Sequence, residues 1–325
     1  MTAPLLELDQ ASVTFRSRRG GVEVRAVDRV SLDVNAGEIV GLVGESGSGK
    51  SSLARLTVGL NRLAAGAVRF GGAPLPAGRW PAGLRRQIQM VFQDPYSSLN
   101  PRMTVGQQLS ELLRVRAGLP RAAVAERSAE LMRQVHLPVE LMRARPRQMS
   151  GGQRQRVAIA KALTLGPDLL VADEPVSALD VSVQAGVIKL FAELRRELGV
   201  AVLFISHDLA VVRHLCDRVA VMYMGRIVEH GPIGEVFADP RHPYTRALLA
   251  AIPRVSAATP AGTAGVEGDP PSLTRLPSGC RFRSRCPMAR EGCQQEEPEL
   301  RQPAGSAPDH LAACHFSDVG SGGQP

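Results

Sequence analysis

Glu38-Ile39-Val40-Gly41-Leu42-Val43-Gly44-Glu45-Ser46-Gly47-Ser48-Gly49-Lys50-Ser51-Ser52-Leu53-Ala54-Arg55-Leu56 decides the fold class of this chain. Residues 44–51 fit G-x-x-x-x-G-K-[ST] without a mismatch. The apolar run before them reads as a buried strand, and Ser51 to Leu56 begins a helical pattern. Glycines let successive backbone N–H groups turn inward into a nest for anions, and the new helix points its positive end at the same spot. Lys50 then reaches the β- and γ-phosphates of a nucleoside triphosphate, and the Ser51 hydroxyl coordinates Mg²⁺. Strand, loop, Lys-Ser pair and helix agree, which makes a ligand-free glycine turn the weaker reading.

Leu169-Leu170-Val171-Ala172-Asp173-Glu174 supplies a second half. Four apolar residues make a central parallel strand that ends in two carboxylates, on the edge where open α/β sheets place ligands. Asp173 suits the Mg²⁺ shell, and Glu174 is placed to polarise an attacking water. The bland alternative is a pair of solvated acids capping a helix that begins near Pro175. His207 follows a third apolar run, Val200 to Ile205, and is expected to meet the γ-phosphate. Gln93 ends the stretch Met90-Val91-Phe92, and its neutral amide suits contact with Mg²⁺ or the attacking water. Further along, Ser150, Gly151 and Gly152, followed by Gln153, are placed to cap a helix running through Arg156 to Leu163. The N–H groups and dipole of that helix make a second anion site.

In this order along the chain, these residues resemble the ATP-binding subunits of ABC transporters. The fold that the resemblance implies is α/β: a P-loop NTPase of the ABC type, with a helical subdomain and a small cysteine-containing C-terminal module. Phe15 resembles the aromatic residue that stacks on adenine, a position commonly Tyr in the family. Gly44, Glu45, Ser46, Gly47, Ser48, Gly49, Lys50, Ser51 and Ser52 resemble Walker A and its helix start. Gln93 resembles the Q-loop, and Met149 to Gln153 the signature, with Met where Leu is usual. Leu169 to Glu174 resemble Walker B, Ser177 to Asp180 the D-loop, and His207 the switch histidine. The resemblance implies ATP and Mg²⁺ as cofactors, with Ser51, Gln93 and Asp173 toward the metal. It implies catalytic roles for Glu174, His207 and Gln93. It also implies that the signature residues Ser150, Gly151, Gly152 and Gln153 serve the nucleotide of a second subunit, and that Asp180 of the D-loop takes part in nucleotide binding.

Two segments narrow the resemblance. Gln93-Asp94-Pro95-Tyr96-Ser97-Ser98-Leu99-Asn100-Pro101-Arg102-Met103-Thr104-Val105-Gly106 and Asp239-Pro240-Arg241-His242-Pro243-Tyr244-Thr245-Arg246-Ala247-Leu248-Leu249 are similar to the dipeptide/oligopeptide importer ATPases. The first resembles the "F-type" partner of their two ATPases. This implies a heterodimer with a second homologous ATPase beneath two membrane permeases, fed by an extracytoplasmic solute-binding protein. The location implied is peripheral, on the cytoplasmic face of the inner membrane. A soluble ABC ATPase acting on nucleic acid or ribosomes is the alternative, as is an importer ATPase for nickel or another solute. An exporter ATPase shares the chemistry, but the 94–106 segment and the cysteine tail argue against it.

Composition sets bounds. The chain has 325 residues, 44% of them hydrophobic, enough for one sizeable core and a smaller module. No run approaches the roughly 18 apolar residues of a membrane span, and Met1 to Gln10 does not resemble a signal peptide. A soluble or peripheral protein is therefore expected. The net charge of +8 is carried almost wholly by arginine, since lysine occurs only at Lys50, Lys161 and Lys189. The arginines are dispersed and aromatic residues are few, so no nucleic-acid partner is expected.

The organisation expected is a nucleotide-binding domain over 1–235, with helices over 96–150, then a C-terminal region over 236–316. The helices read from Val105 to Val115 and from Ala122 to Leu137. A linker is expected over 255–278, a four-cysteine module over 279–316, and a flexible tail over 317–325. Cys280, Cys286, Cys293 and Cys314 are spaced C-x₅-C-x₆-C-x₂₀-C. Disulfides do not suit a reducing compartment. Zinc with His310 or His315, metal-free thiols and a [4Fe–4S] cluster stay open on ligand rules. The arrangement resembles the cluster-binding tail of the peptide-importer ATPases, which implies an iron–sulfur cluster. Cys216 reads as a small core residue.

Overall fold

Ile39, Val40, Leu42 and Val43 are all fully buried, as a strand covered on both faces requires. Alternate side chains point opposite ways along a strand. Ile39 and Val43 accordingly face one core, with Leu170, Ala172, Val202 and Phe204. Val40 and Leu42 face the other, with Leu169, Val171, Leu203 and Ile205. Each such side chain contributes about 1.5–3 kcal/mol by leaving water.

The computed structural model describes residues 3–16, 23–76, 80–252, 268 and 271–318. Most of the linker expected over 255–278 lies outside these residues, as does 319–325 of the expected tail. Four strands form an antiparallel sheet: β1 (Leu6–Arg16), β2 (Glu23–Val34), β4 (Ala65–Phe70) and β5 (Ala73–Pro74). The other strands are β3 (Ile39–Val43), β6 (Ile88–Val91), β7 (Leu169–Asp173), β8 (Ala201–Ser206), β9 (Arg218–Tyr223), β10 (Arg226–Pro232) and β11 (Leu311–Ala312). They form a sheet ordered β11-β10-β9-β3-β8-β7-β6, parallel from β9 through β6 and antiparallel at β10 and β11. β1, β2 and α1 (Lys50–Thr57) cover one face through Leu6, Leu8, Val30, Leu32 and Leu53.

The opposite face carries α6 (Gly151–Leu163), α7 (Val181–Leu198) and α8 (Leu209–Leu215) through Val157, Phe191 and Val212. Before β6 comes α2 (Ala82–Gln87), and after it α3 (Pro95–Ser98), α4 (Val105–Val115) and α5 (Arg121–Gln134). Thr104 and Gln107 cap α4 reciprocally. The second of these long helices stops at Gln134 rather than Leu137, because His136 turns left-handed at φ 55°. After β10 the chain forms α9 (Ile233–Ala238), α10 (Pro243–Ala250) and the short α11 (Gly292–Gln295). Cys216 follows α8 and is buried, and burial pushes its thiol pKa up.

Arg218 joins the two sheets. Its guanidinium gives Asp33 of β2 hydrogen bonds of 2.8 and 2.9 Å, which hold that carboxyl below its ordinary pKa. It also reaches His230 Nε2 at 2.9 Å. Arginine only donates, so this nitrogen accepts and the imidazole is neutral. Burial, aided by the Arg218 charge, pushes the His230 pKa down to about 4. Burial, aided by Arg246, pushes His242 down to about 3, and its Nδ1 accepts the Tyr244 N–H at 3.0 Å to cap α10.

Both folded pKa values lie below the roughly 6.5 of an unfolded histidine. Below that value the unfolded chain takes up protons that the folded chain refuses, so stability falls as pH falls toward 4. The loss approaches about 1.4 kcal/mol per pH unit for each histidine. Urea unfolding compared between about pH 7 and pH 5 should show it. His242→Asn, which keeps an acceptor for the Tyr244 N–H, should remove close to one proton's share; an unchanged slope would remove His242 from the balance.

Candidate functional site

The parallel strands end in a row. Val43 pairs with Ser206, Asp173 with Ile205, and Val91 with Ala172. The residues that follow them, the 44–49 loop, His207, Glu174 and Gln93, therefore emerge along one edge of the sheet.

The loop is wedged between β2 and β9. Gly44 and Gly49 have φ values of 152° and 109°, and a Cβ on either would lie 2.1 Å from a backbone oxygen, Met222 O and Ala26 O respectively. Gly49 ends the loop as the N-cap of α1, with no side chain taking the first helical N–H groups, which suits an anion there. Lys50 is buried and donates to Gly44 O at 2.7 Å and Glu45 O at 2.8 Å. Burial lowers its pKa, against the countering charges of Glu174, Asp173 and Glu45. The Ser51 hydroxyl donates to Asp173 Oδ1 at 3.0 Å. Burial raises the Asp173 pKa, and the Ser51 hydrogen bond opposes that rise.

Beside this pair, three side chains meet on one oxygen. Gln93 Nε2 donates to Glu174 Oε2 at 3.0 Å, and His207 Nδ1 lies 3.3 Å from the same atom. Glu174 sits at φ 46°, a left-handed conformation that costs a non-glycine residue about 1–3 kcal/mol and gathers at functional sites. No helix begins near Pro175: turns follow Glu174, and α7 starts at Val181. Glu174 is thus turned toward the pocket instead of capping a helix.

A cavity of about 700 Å³ joins these groups. Its walls include Ser46, Gly47, Gly49, Lys50, Ser51, Ser52, Gln93, Glu174 and His207, and Phe15 lines it from β1 at 44% exposure. Asp173 lies behind Ser51, and Gly44, Glu45 and Ser48 form the loop backbone. Ser150, Gly151, Gly152, Gln153 and Asp180 are absent from the walls. They form a patch of their own. Ser150 and Gln153 cap α6 reciprocally, and a Cβ on Gly152 would lie 2.3 Å from Val183 Cγ1 of α7. Ser150 and Asp180 are exposed, and Met149 is buried where the family usually has Leu. Leu273 also lines the cavity. It stands in a stretch of linker composition, where no local signal marks it.

Oxygen donors from Ser51, Asp173 and Gln93 suit Mg²⁺, which takes few protein ligands when phosphates supply the rest. The four tail cysteines are free thiols. Burial pushes Cys280 and Cys286 up to about 11 and raises Cys314, and each of these thiols also feels the charge of at least one other. The described residues contain no group of three or more His, Cys, Asp or Glu poised to hold a metal ion. His310 pairs with Glu229 at 2.7 Å, and His315 with Glu296 O at 3.0 Å. One ring nitrogen of each histidine is thus engaged away from the cysteines.

Residues 27–177 match the ABC transporter family profile, and 228–293 match the oligopeptide/dipeptide transporter C-terminal region. A putative peptide import ATP-binding protein of Brucella ovis is 46% identical over 313 residues, 96% of this chain and 97% of that protein. The chain belongs to the ABC transporter ATPase family. A second relative of the same description, from Brucella abortus, is 46% identical and covers 93% of this chain and 89% of its own length. Among solved structures, cbiO1 of Clostridium perfringens, part of the ABC transporter complex cbiONQ, matches with TM-score 0.65 and 30% identity over 72% of this chain and 91% of that one. The ATP-binding cassette MJ0796, seen as a dimer in a post-hydrolysis state with ADP and Pi, matches with TM-score 0.63 and 28% identity over 70% and 98%. This ABC ATPase has no helix among its described residues long and apolar enough to cross a membrane.

The two glycines of the loop differ from their neighbour in a way that can be measured. A Cβ on Gly49 collides with backbone, whereas one on Gly47 meets nothing within 4 Å and faces only its φ of 78°. Gly49→Ala should therefore lower the melting temperature well beyond Gly47→Ala, whose backbone strain amounts to about 1–2 kcal/mol. Equal melting points would show that the loop relaxes around the new methyl group.

Proposed function

We propose that this ABC ATPase hydrolyses ATP to drive a peptide-type importer. It pairs with a second, homologous ATPase subunit beneath two permease subunits, on the cytoplasmic face of the inner membrane. A solute-binding protein on the other side delivers the cargo. The observation that carries the chemistry is the single Glu174 oxygen met by Gln93 and His207, next to the Lys50–Ser51–Asp173 group. Peptide as cargo is supported by the names of the relatives and by the matched C-terminal region.

Each side chain then has a task. Phe15 stacks on the base, and the loop N–H groups and Lys50 hold the phosphates. Ser51, Asp173 and Gln93 would hold Mg²⁺, which would neutralise phosphate charge there. Glu174 polarises the attacking water, Gln93 orients Glu174, and His207 meets the γ-phosphate. Ser150 and Asp180 are exposed, Gly151 and Gln153 half-buried and Gly152 buried, and all five lie outside the walls of their own pocket. In this reading they close on the ATP of the partner subunit, an arrangement supported by the dimeric state of the MJ0796 cassette.

Glu174→Gln keeps ATP binding and should lower kcat by about 10²–10⁴, the usual share of a general base. Near-normal hydrolysis would remove Glu174 from that role. Lys50→Ala should weaken ATP binding itself. Glu174→Gln with ATP, pulled from gently solubilised membranes, should bring down a second ATPase and two multi-span proteins; recovery of ribosomes or nucleic acid would overturn the import reading.

The same reading assigns a [4Fe–4S] cluster to Cys280, Cys286, Cys293 and Cys314. Thiols suit iron, and the backbone brings two of the four segments together, the Cys280 N–H donating to Cys293 O at 2.8 Å. Once bound, the cluster supplies a staple for a tail with little apolar surface. Protein purified without oxygen should carry about four irons per chain; iron-free, colourless protein would sink the assignment.

A further inference from the structure

Glu45 occupies a position at which the P-loop pattern specifies no residue type, yet all its polar groups are engaged. Its N–H donates to Tyr244 Oη at 2.8 Å. Its carbonyl accepts from Lys50 Nζ at 2.8 Å. Its carboxylate accepts a two-pronged pair from Arg285, Nη1 to Oε2 at 2.7 Å and Nη2 to Oε1 at 2.9 Å. Two of these three partners come from the C-terminal region.

Those two partners are rigidly mounted. The Arg285 side chain is only 6% exposed, and it immediately precedes Cys286 in a short 3₁₀ turn. Tyr244 is fully buried at the start of α10. Its ring lies 4.7 Å from that of Tyr223 and 5.4 Å from that of Phe282, while Tyr223 and Phe282 meet edge-on at 5.3 Å. This aromatic knot ties β9, α10 and the cysteine segment together behind the loop.

We propose that Arg285 and Tyr244 are positioning residues for the P-loop, holding Glu45 and, through its carbonyl, the Lys50 ammonium where the triphosphate is received. The inference rests on the nucleotide-site reading above. Arg285 also has an electrostatic task. Glu45 places a carboxylate beside a site for a highly anionic ligand, and the planar fork of Arg285 cancels that charge and fixes its direction. Without Arg285, the free carboxylate repels the incoming phosphates. The Glu45 side chain is 27% exposed, so part of this repulsion is screened by water.

The test is a double-mutant cycle on the full chain, reading the dissociation constant for ATP and the KM and kcat of hydrolysis. Arg285→Met should weaken ATP binding by about tenfold, with the larger part of the kinetic effect in KM, as lost uniform binding requires. Glu45→Gln combined with Arg285→Met removes the uncompensated charge and should recover most of that loss, to within about threefold of the unaltered chain. Tyr244→Phe, which deletes only the acceptor, should weaken binding by about two- to fivefold. If Arg285→Met does not fold, Arg285→Lys serves in its place: it keeps the charge but not the fork, and should show an intermediate loss. Variants that bind ATP as the unaltered chain does would overturn this inference alone. A double variant as weak as Arg285→Met would reduce Arg285 to a purely structural part and overturn it too. An unaltered chain that binds no ATP would overturn the nucleotide-site reading itself.

Discussion

Asp173 pairs with Ile205 and Val43 with Ser206 across neighbouring parallel strands, and this register brings the loop, the acids and the histidine to one edge. The side-chain period in a strand is two, so a slip by one residue would turn every inward residue outward. In β3, β7 and β8 the slip has no tolerable outcome, because both faces are core. It would exchange Leu170 and Ala172 for Leu169 and Val171 against two differently shaped walls. The same burial that stabilises the sheet therefore sets the position of Asp173 relative to Ser51 and of Glu174 relative to His207. Packing supplies the precision, and the polar residues at the edge inherit it.

The edge is costly in its own right. Lys50 and Asp173 are buried charges, and burial drives their pKa values toward one another. Glu174 adds a backbone in a disfavoured region. Each penalty is met locally: Lys50 by two carbonyls, Asp173 by Ser51, and Glu174 by Gln93 and His207. Such a site is built before its ligand arrives, so little reorganisation is left for the reaction.

The residues of the cavity were legible in sequence where their signal is local. The glycine loop follows β3 and leads into Lys50-Ser51 at the start of α1, and Asp173-Glu174 close β7, so position at the end of a parallel strand dictates where these residues emerge. Gln93 and His207 needed only the same rule. The signature patch was legible as a helix cap, since Ser150 and Gln153 stand three apart. What stayed hidden depends on contacts with no local trace. The left-handed turn of Glu174 is set by the Glu174 N–H to Ile205 O bond from another strand. Leu273 reaches the cavity from a stretch whose composition carries no periodicity. Arg285 meets Glu45 across 240 residues, and no spacing rule spans that distance.

The C-terminal region is bound to the cassette by more than sequence continuity. β11 pairs with β10 and extends the large sheet at its edge, where unpaired strand groups are a liability. Glu229 of β10, fully buried, accepts from the N–H groups of Arg241 and His242 and meets His310. A carboxylate buried this deeply is tolerable only with its lone pairs filled, so β10, the start of α10 and the tail must fold together. Arg281 closes the other side, pairing with Asp28 of β2 and with Glu297 at 2.6 Å. Asp28 is itself buried and also pairs with Arg226 at 3.5 Å, so Arg281 adds a second guanidinium from the tail to that carboxylate. The tail and the cassette thus share networks of buried charge. A motion that separated the two would therefore have to break buried ion pairs.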